Sequence, residues 1–193
     1  MKILQCQALL AATLADAQCS APGETPYARA GRSIVRMASA YESDGRTFMA
    51  AGDPVNALAA ALYGLGWLHC GIASGLLVIP KKTPACPFGG VFDPLPPARQ
   101  AKLDEKTGRY AGLLDTAIAS VAPAPDPGTP GYAFAEQVRF IAGVYLFHGR
   151  AQASAARREE ALASFSYGHG WLDAGVETGL FSIRANRQIF TVD

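Results

Sequence analysis

The feature that most constrains this chain is an internal repeat with an offset of 104 residues. Between segments 34–79 and 138–183, 17 of the 46 ungapped residue pairs are identical, where average residue frequencies would give about three by chance. The clearest match joins YGLGWL at 63–68 to YGHGWL at 167–172. A duplicated segment predicts that both copies adopt one fold.

The repeat divides the chain of 193 residues into two copies and a connector. We predict a first repeat at 1–79, a second at 99–193, and between them a proline-rich linker at 80–98 that includes the tail of the first copy. Residues 80–97 hold six of the chain's 13 prolines, which prevents a helix and predicts a stiff connector. The segment 91–93 resembles the terminal 189–190 region, which predicts a short tail folded back on each bundle.

Each copy is predicted to form three helices from its apolar spacing of three and four residues. The first helix is expected at 3–17 and 99–120, and the second helix of the first copy at 27–51. The third begins at Asp53-Pro54, because Gly52 can end the preceding helix and Asp53 can cap the next. Its counterpart at 156–158 lacks these residues, yet we predict the same turn. The predicted fold class is all-α, with two tandem up-down three-helix bundles packed as a pseudo-dimer.

Small residues follow one face of the third helix in both copies. Glycine within a helix costs about 1 kcal/mol relative to alanine, so several of them predict close packing against that face. Tight packing is the main interpretation, and a ligand lying against the backbone is the alternative. The row consists of Ala57, Gly64 and Gly71, with Ala161, Gly168 and Gly175 in the second copy.

A second row on the third helix differs between the copies. In the first copy it is apolar where a surface helix is normally polar, whereas in the second copy its residues are typical of a solvated face. The asymmetry predicts a buried interface at Leu62, Gly66 and Ala73, formed with the second copy or with another chain. The rows are Leu62, Gly66, His69 and Ala73, and Ser166, Gly170, Asp173 and Glu177.

The third helix also carries the residues with the most chemistry. His169 and Asp173 are four residues apart, so they lie one turn apart and could orient a general base or form half of a metal site. Since Leu65 occupies the position of His169 in the first copy, we interpret His169 as a core histidine hydrogen-bonded to Asp173. Ligand or partner binding and catalysis are the alternatives.

Aromatic residues share one face of each third helix. They are typical of a core whose polar tips are satisfied at its edge, and a stacking platform for a ring-shaped ligand is the alternative. The candidate ligand or interaction residues are Tyr167, His169, Trp171, Asp173, Tyr63, Trp67 and His69.

Composition and motifs argue against several classes of function. The net charge is +1 and the basic residues are scattered, so nucleic-acid binding is not expected. Phosphate-binding, dinucleotide-binding and hydrolase motifs are missing from the sequence. Four cysteines and three histidines form no zinc pattern. We therefore expect no metal and no cofactor, free thiols in a reducing cytoplasm, and no catalytic residue.

The uncharged stretch 55–79 imitates a transmembrane helix by length. Its counterpart at 159–183 contains Glu159, Glu160, Asp173 and Glu177, which are costly in lipid. Because both copies should share one fold, we predict a soluble helix and no membrane contact. The apolar N-terminus corresponds to an internal segment, which favours a structural element over a signal peptide.

The segment 160–175, EALASFSYGHGWLDAG, followed by Gly179-Leu180-Phe181, resembles domain-of-unknown-function family 357. This is a family of small archaeal proteins, and Ala51–Ala59 resembles the turn before the same helix. The resemblance covers both repeats and implies a three-helix bundle of about 90 residues per copy. It implies no activity, and because members usually carry one copy, it implies a fused pseudo-dimer here. The first copy departs from the family pattern at Leu65 and His69.

The leading functional hypothesis is a cytoplasmic, non-catalytic interaction or scaffold protein with a protein partner or self-association. The alternative is a small-molecule-binding module that uses the His169/Asp173 region of the second copy. An enzyme of unknown class is the third hypothesis, and its support is that pair alone.

Overall fold

The computed structural model describes residues 3–80 and 92–191. It contains six α-helices in that part of the chain, and the all-α class is confirmed. The second and third helices of the two copies begin and end 104 residues apart, as the repeat predicts. The helices are α1 Ile3–Asp16, α2 Pro26–Ala50, α3 Pro54–Ala73, α4 Gln100–Ala119, α5 Pro130–Ser154 and α6 Arg158–Glu177.

Side-chain caps begin three of these helices. The hydroxyl oxygens of Thr25 and Thr129 each accept a hydrogen bond of 3.1 Å from the backbone three residues later, ahead of α2 and α5. Asp53 accepts from the backbone N–H of Asn56 at 3.3 Å, as the sequence predicts for α3. The Lys102 ammonium in α4 lies 2.6 Å from the same aspartate, so the cap also connects the two copies.

Two short antiparallel sheets accompany the helices, and the helical periodicity did not predict them. β1 Gln18–Cys19 pairs with β2 Leu77–Val78, and β3 Val121–Pro123 pairs with β4 Phe181–Ile183. Strands of two or three residues are too short to produce an alternating pattern. Each sheet connects the end of the first helix of a copy to the end of its third helix.

The third helices form the centre of the protein. α1 and α2 pack on α3, α4 and α5 pack on α6, and α3 and α6 pack on each other. Among the described residues, α3 is the one helix long and apolar enough to cross a membrane, but 83% of its apolar window is buried inside the protein. This is the burial expected of a soluble core helix.

The described part of the connector, residues 92–95, contacts the second copy, and the expectation that the tail at 91–93 folds back on the first bundle stays a prediction. Residues 81–91, which include Val91 and two of the six connector prolines, lie outside the described residues. Phe92 and Leu95 donate their backbone N–H groups to the carboxylates of Glu160 and Glu159, at 2.9 and 2.8 Å. Both glutamates are buried in the first turn of α6. Buried carboxylates need donors, and the connector supplies two of them.

The turn between the second and third helices is the same in both copies, as predicted. Gly52 has φ +68° and its counterpart Ala156 has φ +57°. The next backbone N–H bonds the carbonyl five residues earlier in each case, Asp53 to Phe48 at 2.8 Å and Arg157 to Gln152 at 2.9 Å. The second copy therefore holds an alanine in a left-handed conformation that costs a non-glycine residue about 1–2 kcal/mol.

Ala156→Gly should raise the free energy of unfolding by about 1 kcal/mol, because glycine adopts this φ without strain. The matched Gly52→Ala variant should lower the free energy of unfolding by a similar amount, because alanine is strained at φ +68°. A clash does not contribute, since the nearest atom to the added Cβ is 3.7 Å away. Urea denaturation of both variants measures the two effects. A loss of stability in A156G would contradict the assigned backbone conformation.

Candidate functional site

The two copies meet where α3 crosses α6 at a pair of glycines. A Cβ on Gly66 would lie 2.4 Å from the carbonyl oxygen of Tyr167, and a Cβ on Gly170 would lie 2.3 Å from that of Tyr63. These are backbone atoms of the opposite helix, so the crossing has no room for a side chain. Both glycines occupy the same position in the repeat.

The small-residue row has a different role from this crossing. Side chains of the same copy lie closest to the Cβ positions of its glycines: Leu10 at Gly64, Ile34 at Gly71 and Phe181 at Gly175. The row therefore receives side chains from neighbouring elements, which agrees with the tight-packing interpretation. The close approach of another backbone occurs at Gly66 and Gly170.

The predicted interface row is only partly buried. Leu62 is 1% exposed and Gly66 is buried in the crossing, whereas Ala73 at the end of α3 is exposed. The expectation of a solvated row in the second copy is wrong, because Ser166 and Asp173 are fully buried. The reason is that α6 packs against α3 along this face.

The crossing pairs each tyrosine with a residue of the opposite helix. The Tyr63 hydroxyl donates a short hydrogen bond to Oδ2 of Asp173, and the Tyr167 hydroxyl lies 2.7 Å from Nδ1 of His69. Tyr63 corresponds to Tyr167 and His69 to Asp173 in the repeat, so the two contacts are one contact made twice. The sequence suggested a pair within α6 instead, and missed these cross-helix partners.

His169 lies in this cluster but makes no hydrogen bond to Asp173, contrary to the expectation. Its Nε2 is 3.6 Å from Oδ1 of Asp173, and both atoms are buried without a hydrogen-bond partner among the described residues. The other carboxylate oxygen accepts from Tyr63 and from the backbone N–H of Thr191 at 3.1 Å. Seven buried side-chain polar atoms of the described residues have no hydrogen-bond partner, and the proximity of these two to each other marks the pair as a candidate site.

A cavity of about 340 Å³ lies against the cluster, between the two copies. The ring of Tyr41 lies 4.4 Å from that of Tyr63 at one wall. The sequence did not select Tyr41, Lys106, Tyr110 or Thr191 as site residues, and only Tyr41 carried a signal, its match to Tyr145 in the repeat. The principal polar lining residues are Tyr41, Asp44, Tyr63, Lys106, Tyr110, His169 and Thr191.

Burial sets the protonation of these groups. Burial raises the pKa of Tyr63 well above its ordinary value, and the negative charge of Asp173 raises it further. Burial also raises the pKa of Tyr41, so both phenols remain protonated at neutral pH. Burial lowers the pKa of His69 to about 4, so this histidine is neutral when it bonds Tyr167.

The remaining predicted site residues belong to the core. Trp67 is fully buried and Trp171 is 7% exposed, and neither lines the cavity. Contrary to the expectation of satisfied polar tips, their indole N–H groups are buried with no hydrogen-bond partner among the described residues. Tyr167 contacts His69 and the ring of Trp171, with 6.3 Å between its centroid and that of the indole. Of the seven predicted residues, Tyr63 and His169 line the cavity. Residues 3–80 and 92–191 contain no group of three or more His, Cys, Asp or Glu placed to hold a metal ion.

The fold and the site together define an all-helical protein built from a duplicated unit, with a polar cluster where the units meet. The family model described as "Protein of unknown function (DUF357)" matches residues 7–77 and again 109–181. The chain therefore belongs to the DUF357 family and carries two copies of its domain. No curated protein and no solved structure matches the chain.

Gly66→Ala should destabilise the protein by about 3 kcal/mol, because its Cβ would overlap a backbone carbonyl that cannot move alone. Gly112→Ala is the matched control on α4, where an added Cβ meets no atom within 4 Å. The control should gain about 0.5–1 kcal/mol from helix propensity. Thermal and urea unfolding distinguish the two, and equal stabilities would contradict the close crossing.

Stability should also fall in mild acid because of His69. Below pH 6.5 the unfolded chain protonates this histidine, whereas the folded protein does so only near pH 4. The unfolded state therefore binds more protons in that window, and the free energy of unfolding decreases as pH falls through it. We expect His69 to contribute about 2 kcal/mol of the loss between pH 7 and pH 4.5.

The His69→Gln variant isolates this contribution, because glutamine can bond the Tyr167 hydroxyl and does not titrate. Urea unfolding of both proteins at pH 7 and pH 4.5 provides the comparison. A variant whose stability falls as steeply as that of the parent would show that His69 is not the group responsible.

Proposed function

We propose that this chain is a fused dimer of two three-helix bundles that binds a small polar molecule in the cavity between them. The observation that carries the proposal is the position of the cavity. It lies against His169, whose Nε2 and the nearby Oδ1 of Asp173 are buried without hydrogen-bond partners. The His169 ring lines the cavity, so a change of its rotamer would bring Nε2 to a bound molecule that supplies the missing contact.

The pairing of the repeats supports the fused-dimer part of the proposal. The glycine contact and the tyrosine contact each occur twice, at positions 104 residues apart. Such duplicated contacts are expected across a twofold interface between equivalent subunits. Leu62 and Gly66 of the apolar row of α3 are buried within the chain, so a second chain is not needed to bury these two residues.

The differences between the copies support a single site per chain. At the position of His169 the first copy has Leu65, which is fully buried. At the position of Asp173 it has His69, which is already bonded to Tyr167. The unpaired His–Asp pair therefore belongs to the second copy, and we expect one molecule to bind per chain.

The cavity also suggests the size and type of the ligand. A volume of about 340 Å³ is at the lower end for ligand sites and holds on the order of ten to fifteen non-hydrogen atoms. The walls provide tyrosine rings, a negative charge on Asp44 and a positive charge on Lys106. A molecule the size of an amino acid or a nucleobase, with an apolar or ring portion and hydrogen-bonding groups, fits this lining.

The proposal assigns binding and no reaction to the pair. A general base needs a second group that holds it in position, and Nε2 of His169, 3.6 Å from Oδ1 of Asp173, makes no such hydrogen bond. A cytoplasmic location is part of the proposal, supported by Cys19 and Cys70, which form no disulfide among the described residues.

Thermal-shift measurements on the full chain test this function. The panel consists of amino acids, nucleobases, nucleosides and small carboxylates, each at millimolar concentration. At least one compound should raise the Tm of the parent by a few degrees, as expected when the concentration of the compound is well above its Kd. Calorimetry should then give one site per chain.

Two variants make the test specific. His169→Leu introduces the residue that the first copy has at this position, and it should abolish the shift. His148→Leu removes an exposed histidine from α5 and should leave the shift unchanged. The proposal would be overturned if no compound stabilises the parent, or if the same compound stabilises H169L equally.

A further inference from the structure

The second copy has an apolar stripe on the outer face of α5. Phe140, Val144 and Phe147 are 70%, 44% and 76% exposed, and their spacing of four and three residues places them on one face. A groove of about 480 Å³ lies beside them, between α4 and α5. Surface helices normally present polar side chains outward, so this face is unusual.

The first copy shows that the fold does not require this stripe. The residues of α2 that correspond to Phe140, Val144 and Phe147 are Arg36, Ala40 and Ser43. α2 and α5 have the same length and the same position in their copies. The phenylalanines therefore add nothing that the bundle needs for its own packing, and a contact outside the chain is the physical reason to have them.

We propose that the stripe binds the same stripe on a second copy of this chain, with the two α5 helices antiparallel about a twofold axis beside Gly143. Glu136 and Arg150 both lie seven residues from Gly143, which is about 10.5 Å along a helix. A twofold axis at Gly143 therefore places Glu136 of one chain beside Arg150 of the other. Within one chain Glu136 pairs with Arg139 at 2.6 Å and Arg150 pairs with Asp115 at 2.7 Å. The contact between chains would join these two exposed ion pairs into one network.

The same axis matches the apolar side chains. Phe140, three residues before Gly143, faces Phe147 of the second copy, four residues after it. An added Cβ on Gly143 would meet no atom within 4 Å, so the neighbouring helix can approach closely there. This is the arrangement that the chain already uses at Gly66 and Gly170. The groove beside the stripe, lined by Ile118 and Phe140, has room for a phenyl ring of the second copy.

The size of the stripe sets the expected affinity. Phenylalanine side chains bury about 150–250 Å² each, so at these exposures the three side chains present about 350 Å² per chain. A stable interface buries about 800 Å² per partner, of which the charged flanks supply only part. The dimer is therefore expected to be reversible, with a Kd in the micromolar range, and it does not depend on a ligand in the cavity.

Sedimentation velocity of the full chain, from about 1 to several hundred micromolar, measures this association. The parent should change from monomer to dimer over that range. The double variant F140R/F147S, which takes the residues of the first copy, should raise Kd at least tenfold. Leu4→Ser is the control, because it removes an apolar side chain that lies outside the stripe and is 60% exposed. It should leave Kd unchanged. Circular dichroism verifies that all three proteins are folded.

A cysteine cross-link tests the position of the axis. V144C should form a disulfide-linked dimer on mild oxidation, since Val144 lies next to the proposed axis. A40C places the same residue at the equivalent position of the first copy and should form none above the background of the parent.

Three results would overturn the proposal. The first is a parent that remains monomeric at every concentration, which would leave the stripe to another occupant such as a helical peptide or a lipid surface. The second is a dimer whose Kd does not change in F140R/F147S. The third is equal cross-linking of V144C and A40C.

Discussion

The structure depends on one close contact, the crossing of α3 and α6 at Gly66 and Gly170. At this point the backbone of each helix occupies the space that a side chain of the other would need. The contact joins the helices of the two copies around one shared core, which matters because a unit of this size alone buries little apolar surface. It also fixes the position of α3 relative to α6, and so determines which polar side chains of the two helices come into contact.

The polar cluster is a consequence of that crossing. Tyr63 and Tyr167 each reach the residue of the opposite helix that lies six positions after the partner tyrosine. In the buried interior these hydrogen bonds are strong, and groups left without a partner are costly. The cost of leaving His169 Nε2 and Asp173 Oδ1 unpaired is the physical reason to assign a binding role to the cavity beside them.

Duplication followed by divergence explains how one fold carries different properties on its two halves. The first copy has Leu65 in the core and a polar outer face on α2. The second copy has His169 in the core and exposed phenylalanines on α5. The core difference is confined to one side of the crossing and the surface difference to one outer helix, so each changes the local chemistry without changing the arrangement of the helices.

The sequence by itself determined the repeat, the six helices and the turn at Gly52 and Ala156. These are local features, set by residue spacing, capping and the identity of the two copies. Only the tertiary structure decided that Tyr63 bonds Asp173, that the connector at 92–95 contacts the second copy, and that Ser166 and Asp173 are buried. Those outcomes depend on the angle and depth at which two distant helices meet. A pattern read along one helix holds no information about the partner that covers it.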